Sequence, residues 1–515
     1  MKKPAVILAI ILSICVISSC NSNGAGGGGG SKSGEESSTG GSGSGGGSGS
    51  GGGGSGSAAI GTIKTFWAQK ATDNTWYSFA AELLASNSRC EVWAEQGSGV
   101  SNSTAQNVAN TYNNNYTKMI SNFGITFSTS VGSKDTMQLA DWWLGNEDGK
   151  LCILLLDIID NYSDINNAYV AGYFQPANFF GRNNCDMIYI DTYPGLQSSN
   201  ISSTYSTLFH EMQHLMNFTT TLAKRSNIVG GNIMELNEMD LWIDEGLSSA
   251  AEWVYLGNHN NGRLGWYNSD PTGLIGKGNN FFLWGNRTGS GEGKHENAVL
   301  DDYATVYLFF QWLRIQTNSS IYKNIIGSEY SDYRAVVNAA SIASNWETLL
   351  RDWLAANYIR SSTGLHGYKN ETTLSSGITA HFTPPGNTNI GLFAGEGVYS
   401  KADPFTVPPS SDNIRYSGLN TALVTSGSFT GALLTYNVNT VKSTNHDTGV
   451  QSSSSETGVT TGFANIVQDS GSRSVQSAQI NKPFPIGFSD MLRRNGYSGD
   501  SLTTTPLYHE FFDEW

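Results

Sequence analysis

Two histidines four residues apart, with a glutamate beside the first, stand in His210-Glu211-Met212-Gln213-His214. On a helix, residues four apart share one face about a turn from each other, so two imidazole nitrogens can reach one tetrahedral ion. That is half a zinc site, and Glu211 is in position to act as general base on a metal-activated water. Catalytic zinc keeps three protein ligands and one open position, and a carboxylate often completes two histidines. The segment Leu241-Trp242-Ile243-Asp244-Glu245-Gly246-Leu247-Ser248 offers Glu245, with Glu235, Glu238, Asp240 and Asp244 competing for the role. Glu252 lies seven residues beyond Glu245 and returns to the same helix face, where it would orient a zinc-bound histidine. The ordinary alternative for each acid is a solvated helix carboxylate.

Such a site needs a scaffold, and hydrophobic periodicity supplies one. Leu151-Cys152-Ile153-Leu154-Leu155-Leu156, bounded by polar residues, has the pattern of a strand buried on both faces. Tyr169 to Phe174 and Asp186 to Asp191 are two further short strand-like runs. Beyond Pro194 the period turns helical, over about Ser203 to Phe218, Leu241 to Tyr255, Tyr303 to Ile315 and Trp346 to Tyr358. The small residues Gly246, Ser248, Ser249, Ala250 and Ala251 would let the second of these helices pack closely on the first. A sheet followed by helices is an α+β plan. From about Thr363 the chain is rich in Gly, Ser, Thr and Pro, with brief apolar runs such as Thr421-Ala422-Leu423-Val424. We expect a catalytic domain over 59–362 and a β-rich C-terminal module over 363–515.

The N-terminus reads as an export signal. Lys2 and Lys3 precede an apolar stretch, Ala5 to Ile17, too short to span a bilayer comfortably. Ile17-Ser18-Ser19-Cys20 resembles a bacterial lipobox, which implies a signal peptide over 1–19 and acylation of Cys20. The stretch that follows, to residue 58, is nearly all Gly and Ser and predicts a flexible tether of roughly 30–40 Å end to end. These features place the protein at the bacterial cell envelope, lipid-anchored to a membrane and facing the extracytoplasmic side. Charged residues are only 14% of the 515, against about 25% in an average chain, and the net charge is -14. That balance repels phosphate backbones and excludes a nucleic-acid partner. Cys90, Cys152 and Cys185 remain after the first two cysteines, so at most one disulfide is possible. Nothing in the pattern calls for more than a monomer.

Asp186-Met187-Ile188-Tyr189-Ile190-Asp191-Thr192, the His210 to His214 motif and Trp242-Ile243-Asp244-Glu245-Gly246-Leu247 resemble the hyicolysin family of zinc metallopeptidases, which are gluzincins. The likeness extends to Cys90-Glu91-Val92-Trp93 and Val170-Ala171-Gly172-Tyr173-Phe174, and so covers most of about Gly61 to Tyr358. The resemblance implies a thermolysin-like fold, one zinc ion per chain held by His210, His214 and Glu245, and protein or peptide substrates. The separation of His214 from Glu245 is long compared with gluzincin aminopeptidases. Tyr303 stands where those enzymes carry a catalytic tyrosine and would stabilise the oxyanion, with Tyr307 or His295 as alternatives. Aminopeptidases of the clan read a free amine with an acid in Gly-x-Met-Glu-Asn on an edge strand. Here Gly172 and Tyr173 hold that place in a neutral run, so the edge would pair with an extended substrate and cut within chains. Other readings are a zinc aminopeptidase, or a catalytically silent surface-binding lipoprotein that keeps the fold.

Overall fold

The computed structural model describes residues 13–18, 58–129, 132–160, 162, 168–179, 182–229, 232–278, 281–284, 299–382, 392–410, 412–440 and 478–479. The strand-rich part contains β1 (Ser13–Ser18), β2 (Ile63–Gln69), β3 (Trp76–Ser86), β4 (Cys90–Glu95), α1 (Asn102–Phe123), the hairpin β5 (Thr126–Thr129) and β6 (Gly132–Asp135), α2 (Thr136–Trp143), β7 (Leu151–Leu156), β8 (Ala168–Phe174) and β9 (Met187–Asp191). The helical part runs α3 (Ile201–Lys224), the hairpin β10 (Ser226–Val229) and β11 (Asn232–Leu236), α4 (Leu241–Leu256), α5 (Asn261–Ser269), α6 (Ile275–Gly278), α7 (Val299–Gln316), α8 (Ser320–Ile326), α9 (Tyr333–Ala340), α10 (Trp346–Ile359) and α11 (Thr372–Gly377). Then come β12 (Gly397–Thr406), β13 (Ile414–Leu419), β14 (Leu423–Val424), β15 (Ser428–Asn437) and β16 (Ala478–Gln479). The fold is α+β, a mixed sheet followed by helices, consistent with a thermolysin-like metalloprotease domain.

The large sheet has the order β1-β8-β9-β7-β4-β3-β2. β4, β7 and β9 run parallel at its centre, and antiparallel strands flank them. All six residues of β7 are buried, as its unbroken apolar run requires of a central strand covered on both faces. One face carries Phe66, Trp93, Leu154 and Tyr189 as a smaller core. The other merges with the helices into one large core. α3 crosses beneath β8 and β9 and is buried almost throughout from Thr204 to Ala223, so its polar side chains must find partners inside the protein. α4 packs on both α3 and α7.

Three placements differ from the sequence reading. The edge position expected for Gly172 and Tyr173 is taken by β1, which adds antiparallel to β8 with Ile14 opposite Tyr173. A short β-branched run can pair with any open strand, and that pairing leaves no periodicity signal. Gly246 faces α7 instead of α3, and an added Cβ there would meet the Phe310 ring. Residues after 363 begin with a helix, α11, before the four-stranded antiparallel sheet β12-β15-β13-β14. That sheet shares the large core: Tyr399 and Leu434 belong to it with Trp353 and Leu354, and Tyr399 Oη donates to the Leu354 carbonyl at 2.7 Å. Cys90, Cys152 and Cys185 are free thiols. Among the described residues no helix is long and apolar enough to cross a membrane. Cys20 and the tether lie outside the described residues.

Candidate metal centre

α3 presents His210 and His214 one turn apart, and α4 crosses it so that Glu245 meets both. All three are buried, with exposures of 0%, 2% and 1%. Glu245 Oε2 lies 3.2 Å from His210 Nε2 and 3.6 Å from His214 Nε2. Zinc bonds of about 2.05 Å at tetrahedral angles separate neighbouring ligand atoms by about 3.3 Å. The two carboxylate–imidazole spacings are close to that edge, and all three ligand atoms lie within 4.8 Å of one another. Among the described residues this is the one group of three acids, histidines or cysteines spaced to hold a metal ion. Of the competing acids, Glu238, Asp240 and Asp244 stay out of it, and the Glu235 side chain lies outside the described residues.

Each histidine is gripped through its other nitrogen. His210 Nδ1 is 2.9 Å from Glu252 Oε1, and His214 Nδ1 is 2.9 Å from Asp244 Oδ2. A carboxylate only accepts, so each Nδ1 carries a proton and each Nε2 is the nitrogen left to face the cluster, where losing its proton would make it a metal ligand. Glu252 is itself held by Arg263 Nη2 at 3.0 Å and Asn260 Nδ2 at 2.7 Å. Burial alone would raise the carboxyl pKa of Glu245, but His214 and His210 hold it down at about 2. Burial likewise acts to raise Glu252, which Arg263 and His210 keep at about 2. Burial would lower both histidines, and it is outweighed: Asp244 and Glu245 raise His214 well above the imidazole range, while Glu245 and Glu252 raise His210.

Glu211 is fully buried, and neither carboxylate oxygen has a protein partner. An orphaned buried carboxylate costs free energy unless something else occupies the space before it. Burial, with the charges of Glu245 and Asp244, pushes its pKa up to about 7 against the opposing pull of the histidines. Tyr303 does not open its helix as expected but lies one turn inside α7, which begins at Val299. Its ring centre is 6.2 Å from that of His210, and the Arg263 guanidinium covers its face at 4.4 Å. Tyr307 is committed elsewhere, bonded to His259 Nδ1 at 3.0 Å and to the Asn260 amide at 3.1 Å. His295 lies outside the described residues. Tyr173 points away from the helices into the smaller core, stacked on Tyr189 at 4.2 Å. Gly172 faces α3, where an added Cβ would stand 2.8 Å from Thr207 Cγ2.

The chain is similar to a neutral metalloprotease. Over 244 residues it is 30% identical to the neutral metalloprotease ShpI of Staphylococcus hyicus, a stretch that takes in 45% of this chain and 51% of that protein. The chain thus spans about half the length of the curated relative it matches. No family model matches it. The likeness supports a metallopeptidase family, and the His210, His214 and Glu245 cluster fits the metal such a protein needs.

Several partners of the cluster were not singled out from the sequence. Asp244 enters there only as a rival ligand, yet it serves the imidazole of His214. Ser248 bonds both Gln213 Oε1 and, at 3.1 Å, His214 Nδ1, so one small residue of α4 does contact α3. Asn260 and Arg263 sit in α5 and its cap, and their link to Glu252 depends on how that helix folds back.

Proposed function

We propose that this protein is a zinc-dependent endopeptidase, held at the bacterial cell envelope by lipid on Cys20 and cutting protein or peptide substrates within their chains. The observation that carries the reading is a buried His210, His214 and Glu245 cluster with the unpartnered carboxylate of Glu211 beside it. Two imidazoles and one carboxylate are a common donor set for catalytic zinc, which leaves one position open. When bound, zinc supplies Lewis acidity toward water and the scissile carbonyl.

The chain's own groups do the rest. Glu211, with a pKa near neutrality, accepts a proton from the attacking water and returns it to the leaving amine. Tyr303 donates to the oxygen on which negative charge develops, its ring steadied by Arg263 and His210. Glu252 and Asp244 fix the imidazole orientations. The antiparallel addition of β1 to β8 supports extended pairing along Gly172 and Tyr173. Residues 13–18 belong to the export signal in this reading, so maturation frees that edge for substrate.

The test is a peptide blocked at both ends, incubated with the purified zinc-loaded protein and analysed by mass. Internal cleavage about as fast as for the unblocked form, abolished by a chelator and restored by zinc, is the expected result. Release of free amino-terminal residues alone would make it an aminopeptidase, and no cleavage of any unfolded protein would make it a binding protein.

A further inference from the structure

The two histidines are supported by unequal means. On the His210 side Arg263 and Asn260 touch Glu252 directly. On the His214 side Asp244 has no arginine against it, and a longer chain of bonds runs down α3. Arg225 caps that helix, 4% exposed, and its guanidinium folds back along the last turns. Nη2 donates to Thr221 Oγ1 at 2.6 Å and to Asn217 Oδ1 at 3.0 Å. Nη1 donates to the carbonyls of Ile326 and Ser328 at 2.9 and 3.1 Å. Asn217 Nδ2 then donates to Asp244 Oδ1 at 2.5 Å, and Asp244 Oδ2 accepts from His214 Nδ1.

We propose that Arg225 and Asn217 are positioning residues for His214, a hydrogen-bond relay that fixes Asp244 and through it aims His214 Nε2 at the metal. This rests on His214 being a metal ligand. The direction of every bond is set by the donor at its start. A guanidinium can only donate, so the amide of Asn217 must present its oxygen to Arg225 and its NH2 to Asp244. An aspartate that already accepts from Asn217 is held in one rotamer, with its second oxygen toward the imidazole. The spacing suits the task, because 214, 217, 221 and 225 recur at three and four residues along one face of α3. Burying the arginine is costly, and four donated bonds with an aspartate two links away offset that cost. A plain helix cap would need none of the relay, since the backbone amide of Arg225 already bonds the Thr221 carbonyl.

The experiment measures zinc affinity by chelator competition, with the visible spectrum of the cobalt-substituted protein, on the full chain and its variants. Asn217→Ala cuts the relay while leaving Arg225 its bonds to Thr221, Ile326 and Ser328. It is expected to weaken zinc binding by about tenfold or more, the usual loss for outer partners of a zinc histidine, and to shift the cobalt spectrum. Asp244→Ala should weaken binding at least as much, and the double variant no further, because both act through one path. Arg225→Lys keeps the charge without the fork and should lose affinity with kcat falling more than KM rises. Parental affinity and spectrum in Asn217→Ala, or additive losses in the double variant, would overturn the relay and leave Arg225 a structural cap. If the unaltered protein binds no zinc, the ligand reading falls and the relay with it.

Discussion

Gly246 follows the third ligand on α4, and its missing side chain sets how close α4 comes to α7. An added Cβ would stand 2.7 Å from Phe310 Cζ and closer still to two neighbouring ring carbons, where ordinary contact begins near 3.4 Å. Phe310 is fully buried among Trp242, Phe309 and Tyr322, so the ring cannot swing clear. α4 must yield by a sizeable fraction of an ångström. Overpacking of this kind costs about 1–3 kcal/mol, while alanine in place of glycine returns about 1 kcal/mol of helix propensity. For Gly246→Ala we expect a net loss of up to about 2 kcal/mol and a melting temperature lower by up to roughly 6 °C. The larger effect falls on the metal, since Glu245 moves with its helix and such ligands must be held within about 0.5 Å. Zinc affinity should drop tenfold or more, and Phe310→Leu added to Gly246→Ala should restore much of it. Thermal unfolding and chelator competition on the same samples read both effects. An alanine variant with unchanged melting and unchanged zinc affinity would refute the packing argument.

Glu252→Ala should weaken zinc binding by roughly 10- to 100-fold, checked by chelator competition, because His210 loses the acceptor that orients it. In the metal-free protein both histidines have raised pKa values, so their stabilisation is present below the unfolded value near 6.5 and fades as pH climbs through the folded values. Zinc must displace those protons, so its affinity should fall as pH falls, with proton release measurable by calorimetry in two buffers of different ionisation enthalpy. Cys20→Ser should release the protein from the detergent-extractable membrane fraction, and a mature N-terminus elsewhere than Cys20 would refute the lipobox reading.

The sequence discloses the centre where the information is local. His210, Glu211 and His214 lie within two turns of one helix, so periodicity alone brings them together. β7 was legible for the same reason, as an apolar run too long to face solvent on either side. What depended on helices crossing was not legible. Nothing in the spacing of 214 and 245 says that Glu245 meets both imidazoles while Asp244, one residue earlier, turns to His214 Nδ1. The choice follows from the angle between α3 and α4, which Ser248 and Gly246 help to set from opposite faces. Nothing in the sequence marks Arg225 or Arg263, and only their burial and their bonds to Asn217 and Glu252 show why each is drawn inside.

The most direct test of the central claim is the zinc content and peptide hydrolysis of the Glu211→Gln variant beside the parent protein. Glu211 has no ligand role in this account, and its buried oxygens have no protein partner to lose. We predict about one zinc per chain in both proteins and hydrolysis reduced at least roughly a hundredfold in the variant. Near-parental hydrolysis by Glu211→Gln, or a parent protein that retains no zinc, would contradict it.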